Sequence, residues 1–158
     1  MSAPQPSTAE AISWFSSFPP FEYNTAQTLQ QNFARLSASR HWGKELNRKR
    51  WIQCQTAVFG ALFGRDADVG RLERWQDLCR EVGVENVPGS IGKCKAALRA
   101  SNVLINLVNL IDHRMMGDAV PLVRFTSYKA WREYTKGNMY PRKAAKEEGF
   151  IRALLRKL

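Results

Sequence analysis

Apolar residues recur at helical spacing along most of this chain, and polar or breaker residues separate the runs. Leu29, Phe33 and Leu36 are four and three residues apart, which predicts a helix over 26–39. A second helix is predicted over 44–64. Trp51, Val58 and Leu62 lie along one side, Ile52, Phe59 and Phe63 lie beside them, and Gly64 supplies the stop. Asp68 is placed to cap a third helix whose stripe is Leu72, Trp75, Cys79 and Val82, ended by Gly83. Pro88-Gly89 marks a turn, and Ser90 caps a fourth helix running to about Ser101. Residues 102–116 either continue that helix or bend from it. Val120 to Phe125 is the one strand-like piece, and it contains Pro121. Ser127 caps a helix carrying Trp131 and Tyr134 that ends at Gly137. Pro141 opens a last helix that carries Phe150, Ile151, Leu154 and Leu155 to the C-terminus.

Two stretches escape this pattern. Residues 1–12 are small, polar and proline-bearing, and they read as a loose arm before a single helical domain over 13–158. Pro19 and Pro20 block a helix among Phe15, Phe18, Phe21 and Tyr23. Those rings predict an extended strap laid across the domain, or an exposed ligand for a partner. The fold class expected is all-α, a single domain of about six or seven helices with an aromatic N-terminal strap.

Composition sharpens this picture. The chain is 44% hydrophobic and 11% aromatic, which is enough to build a core. Cys54, Cys79 and Cys94 are odd in number and widely spaced among apolar neighbours. They predict buried free thiols and a reducing compartment, with neither a disulfide framework nor a metal site. The N-terminus lacks the basic and apolar regions of a secretory leader, so none is expected. The longest apolar run, Val103 to Ile111, is broken by Asn106 and Asn109 and is far short of the ~20 residues that span a bilayer, so no membrane association is expected.

The net charge of +10 is unevenly placed. Residues 35–65 carry seven bases and one acid, and residues 114–158 carry eleven bases and four acids. Such a chain attracts polyanions at long range. In the first block Arg40, Lys44, Arg48, Lys49 and Arg50 interleave with His41, Trp42 and Trp51. Cations neutralise phosphates and indoles stack on bases, so this run is a candidate nucleic-acid surface. A nuclear localisation signal fits the same residues. In the second block Arg142, Lys143 and Lys146 are expected to open the last helix. Positive charge is slightly unfavourable there, which marks them as binding candidates. Arg156 and Lys157 at the far end have an ordinary helix-dipole explanation.

Asn102, Asn106, Asn109 and His113 form a polar seam along an otherwise apolar segment. It reads as a wet edge, an internal hydrogen-bond network or, less simply, a base-reading face. No enzymatic constellation has context. There are two histidines, no glycine-rich phosphate loop and no supported nucleophile pattern. Asp66 and Asp68 start a calcium-loop pattern that fails at Arg71, which stands where glycine is required. No enzyme, no cofactor and no metal are expected.

The landmarks FPPFEYN, FARL with Trp42, WQDLC with VGV, Pro88, Cys94, NLVNLID, VRFTS, YTKGNMYP and a closing Phe-Ile-x-x-Leu-Leu follow in order over about 14–158. They resemble an uncharacterised domain found in hypothetical proteins of filamentous fungi. The resemblance implies a fungal intracellular source and a single domain, and it carries no activity, cofactor or site residue. The leading expectation is a non-enzymatic nuclear or cytoplasmic domain that binds DNA or RNA mainly through phosphates. Its sites are Arg40, Lys44, Arg48, Lys49, Arg50, Arg142, Lys143 and Lys146. The alternative is a protein-interaction module in which the strap, or a groove near Trp75, docks an acidic or aromatic partner segment.

Overall fold

The computed structural model describes residues 6–100, 102–137 and 140–155. The fold is all-α, and the described residues contain no strand. The helices are α1 (Pro6–Ile12), α2 (Leu29–Arg40), α3 (Lys44–Leu62), α4 (Leu72–Glu81), α5 (Ile91–Leu98), α6 (Leu107–Met116), α7 (Tyr128–Thr135) and α8 (Phe150–Leu154). Short 3₁₀ turns at Ser13–Ser17, Asp66–Asp68, Gly117–Ala119 and Arg142–Ala144 join them. The chain divides into two compact units, one of residues to Leu62 with Ile111–Pro121, the other of Phe63–Leu110 with the chain from Leu122.

In the first unit, α1 and the 3₁₀ turn after it lie on α3. Residues 6–12, read as part of a loose arm, are therefore helical, and Ala11 is buried. Residues 1–5 lie outside the described residues. The strap is free of helix only after Ser17, because Ser13–Ser17 coils into the 3₁₀ turn and puts Phe15 into the core, and residues 21–24 have no regular secondary structure. A capping box starts α2: Gln31 N–H donates to Thr28 Oγ1, and Thr28 N–H donates to Gln31 Oε1. His41 ends α2 in the left-handed conformation at φ 53°. The α2 stripe of Leu29, Phe33 and Leu36 is buried as its spacing predicts.

In the second unit, α4 and α5 pack together and α8 joins α5. Trp75 is fully buried, its indole N–H donating to the Val69 carbonyl at 2.9 Å and its ring 4.2 Å from that of Phe150. Gly83 closes α4 at φ +82°, with its N–H on Arg80 O and that of Val84 on Cys79 O, a Schellman ending only glycine adopts without strain. Ser90 and Ser127 cap α5 and α7 through Lys93 N–H and Ala130 N–H, as expected. Asp68 does not cap α4. Its carboxylate accepts the Arg65 N–H and pairs with Arg71, which closes the 3₁₀ turn ahead of that helix.

Three further expectations change. The fourth helix stops at Leu98, and residues 103–106 are buried without regular secondary structure before α6 begins. Val120 to Phe125 forms no strand. Residues 121–125 have no regular secondary structure and are held by isolated hydrogen bonds, such as Phe125 N–H on Leu104 O. Pro141 starts only a 3₁₀ turn, Ala145 turns extended (φ −86°, ψ 130°), and Gly149 leads into the five-residue α8. Arg156 and Lys157 lie outside the described residues.

Candidate nucleic-acid interface

The Arg40 to Arg50 run sits where α2 hands over to α3. His41 and Trp42 make the turn, so Arg40 and Arg50 come from different helices yet reach the same ring. The Arg40 guanidinium lies 5.7 Å from the Phe18 ring centre and donates to the Pro19 carbonyl at 2.7 Å. The Arg50 guanidinium lies 5.5 Å from Phe18 and 5.7 Å from Trp42, and it donates to Gln53 Oε1 at 3.0 Å. Cation–ring attraction holds each of them at these positions. Neither forms an ion pair with a carboxylate among the described residues. The Arg50 Nε is buried without a hydrogen-bond partner, so the rings and the Gln53 bond carry that side chain.

Phe18 belongs to a continuous aromatic cluster. Trp14 meets Phe18 at 4.9 Å and Phe33 at 6.3 Å, Phe18 meets Trp42 at 5.3 Å, and Phe33 meets Trp51 at 4.8 Å. Both tryptophans of the basic run are thus engaged with core rings, and guanidinium groups lie over Phe18 and Trp42. Lys44, Arg48 and Lys49 are exposed on α3. Lys44 and Arg48 share a face, as their spacing of four requires.

A third arginine is not signalled by the sequence pattern. Arg35 lies 4.8 Å over Phe21 and donates to Gln27 Oε1, Asn32 Oδ1 and the Glu22 carbonyl. Asn32 is likewise unforeseen. Fully buried, it receives the Asn24 N–H and donates to the Asn24 and Thr28 carbonyls, fixing the loop that carries Phe21 and Tyr23. A polar residue inside the Leu29–Leu36 stripe is the clue that could have found it.

Asp112 of α6 completes the first unit's interior. It is 6% exposed, and its carboxylate accepts the Leu29 N–H at 2.8 Å, at the start of α2. Burial pushes its carboxyl up to about 6, against the pull of that hydrogen bond. Burial, with the Asp112 charge adding to it, also raises the Tyr23 phenol.

The second basic group lies in the other unit and has different company. Because no helix opens at Pro141, the expected clash with a helix dipole is absent there. Arg142 is half-buried, and its carbonyl accepts the Arg152 guanidinium at 3.1 Å. Lys143 and Lys146 are exposed. Lys146 borders a cavity of about 320 Å³ together with Asp66, Glu147 and Glu148, so three carboxylates share its surroundings.

The polar seam divides into hydrogen bonds with local duties. Asn106 Oδ1 accepts the Asn109 N–H and caps α6, and Asn106 Nδ2 reaches Thr135 Oγ1. Asn109 Oδ1 accepts the Val123 N–H at 2.8 Å, and His113 Nδ1 meets the Val120 carbonyl at 2.8 Å. Asn102 is exposed. Cys54, Cys79 and Cys94 are buried free thiols. Burial raises the Cys54 thiol, and burial with the neighbouring Cys94 pushes Cys79 up to about 12. Among the described residues no three His, Cys, Asp or Glu side chains gather as metal ligands, and no helix is long and apolar enough to cross a membrane. Trp75 has no exposed surface to offer a partner. No family model matches the chain, and no curated protein or solved structure is similar to it.

Proposed function

We propose that the first unit binds nucleic acid through the phosphate backbone at the junction of α2 and α3. One observation carries the reading: two guanidinium groups, Arg40 and Arg50, converge on the Phe18 ring with no carboxylate paired to them among the described residues. Like charges drawn together attract an anion between them, and a guanidinium stacked on a ring keeps N–H groups in its plane for phosphate oxygens. The rings restrain both side chains beforehand, so little rotamer freedom is left to lose on binding. Lys44, Arg48 and Lys49 extend the positive surface along α3.

Recognition at this site is of phosphate and not of base. Guanidinium groups already lie over the nearest rings, and bonds to phosphate carry no sequence information. Such binding involves no catalytic step, and it suits a nuclear or cytoplasmic protein. The resemblance to the fungal domain adds no ligand to it. Arg142, Lys143 and Lys146 have weaker support, because carboxylates adjoin Lys146 and Arg142 is half-buried.

A labelled mixed-sequence DNA duplex, titrated at several salt concentrations, tests the proposal. With Lys44, Arg48 and Lys49 replaced by Ala, the slope of log affinity against log salt falls by about 0.9 for each phosphate no longer neutralised. Unrelated duplex sequences bind alike. A parent protein that leaves duplex DNA and RNA unbound at low salt, yet captures acidic peptides, overturns the reading in favour of a protein partner.

A further inference from the structure

The second unit carries a basic surface of another kind, on α7. Its inner side is fixed: Trp131 is buried with its indole N–H on the Ile105 carbonyl at 2.7 Å, and buried Thr135 receives Asn106. With that side anchored, Lys129, Arg132 and Lys136, at steps of three and four, line the outward side, and all three are exposed. None of the three forms an ion pair with a carboxylate among the described residues. Tyr128 stands four residues before Arg132 at the same edge; its ring meets that of Trp131 at 5.5 Å and the residue keeps 44% of its surface exposed. Glu133, the one carboxylate of the helix, stands four residues after Lys129 and three before Lys136, beside the basic row, and forms no ion pair with either.

We propose that this face of α7 binds single-stranded nucleic acid, with Lys129, Arg132 and Lys136 on successive phosphates and Tyr128 stacked on an unpaired base. It extends the nucleic-acid reading of the first unit and rests on that reading, but through different residues and a different strand form. The contrast between the surfaces gives the strand preference. Guanidinium groups cover Phe18 and Trp42, which leaves phosphate binding alone, whereas Tyr128, anchored on Trp131, keeps part of its ring exposed beside a row of cations, the combination that holds unpaired strands.

The test uses a labelled deoxythymidine oligomer and the labelled duplex on the whole chain. Replacing Lys129, Arg132 and Lys136 with Ala weakens the oligomer about tenfold or more at low salt, lowers its salt slope by about 0.7 per phosphate no longer neutralised, and leaves the duplex isotherm unchanged. Tyr128→Leu weakens the oligomer at least about fivefold, and Tyr128→Phe restores it because the ring is kept. Unchanged circular dichroism and melting confirm that the surface variants are folded. If the triple variant and Tyr128→Leu both bind the oligomer as the parent does, or if the parent leaves it unbound at low salt, the α7 site is overturned while duplex binding at α3 can still stand. If instead the Lys44, Arg48 and Lys49 variant and an Arg40→Ala, Arg50→Ala variant both bind duplex normally while the α7 variants lose the oligomer, the reading at the junction of α2 and α3 fails and the α7 site is upheld.

Discussion

Each unit places a cation over an aromatic ring, and the two cases differ in what else the cation touches. In the first unit Arg40 and Arg50 lie over Phe18 with neutral oxygens as their hydrogen-bond acceptors. In the second, Lys95 lies 5.2 Å from the Trp75 ring and pairs with Glu148 at 2.7 Å. The attraction to the ring is of the same kind. The lysine is neutralised and roofs a buried indole, while the arginines remain uncompensated beside half-exposed rings. A count of basic residues cannot separate these cases, because the deciding neighbours are distant in sequence: Phe18 from Arg50, and Lys95 from Glu148.

The largest expected effect tests whether the second unit's ring is structural. Trp75→Ala removes a fully buried indole and its bond to Val69, and denaturant unfolding should show a loss of about 3–5 kcal/mol. A loss below ~1 kcal/mol would place the ring at the surface and erase the contrast.

Next comes the first unit's buried carboxylate. The folded-state pKa of Asp112 stands above its ordinary value of 3.8, at about 6, so the folded chain holds this proton more tightly than the unfolded chain does. Ionised Asp112 therefore opposes folding above pH 6 by roughly 2–3 kcal/mol, and that penalty is relieved as pH falls from 6 towards 4. Asp112→Asn keeps an oxygen for the Leu29 N–H. It should raise stability at pH 7–8 and flatten the pH dependence relative to the parent, and equal slopes for the two proteins would refute this.

A smaller effect separates positioning from charge. Arg40→Lys with Arg50→Lys keeps both charges but removes the planar stacking and forked N–H groups, so duplex affinity should drop several-fold with little change in melting temperature. Full retention of affinity would mean that charge alone, and not the rings' hold on it, binds the duplex. The smallest effect belongs to Glu148→Gln. Its exposed pairing with Lys95 should leave the denaturation midpoint where it was, and a clear drop would show that Lys95 needs that carboxylate to stay on Trp75.

The parts legible in the sequence are those settled within a few residues. The α2 and α4 stripes, the Ser90 and Ser127 caps and the Gly83 stop depend on neighbours one or two turns away, and each is where its spacing puts it. Residues 103–106 are ambiguous in sequence because three successive apolar residues have no period to read. They form no helix, and their carbonyls instead serve Trp131 and Phe125, both far along the chain. Pro141 permits a helix start without requiring one, and Ala145 and Gly149 end it at one turn. At the candidate site the charges are visible in the sequence but their companions are not. The rings that hold Arg40 and Arg50, and the carboxylates around Lys146, come from other parts of the chain.

The bond from Leu29 to Asp112 also bears on how the chain is made. The two residues are 83 positions apart, and the first unit closes only with Ile111–Pro121. A ribosome that has released residues up to Leu62 has delivered α1, α2 and α3 but not the carboxylate that receives the first N–H of α2. Until α6 emerges, that end of α2 has only its own capping box and water. The first unit is thus begun first and finished late, and α4 and α5 of the second unit are translated in the interval.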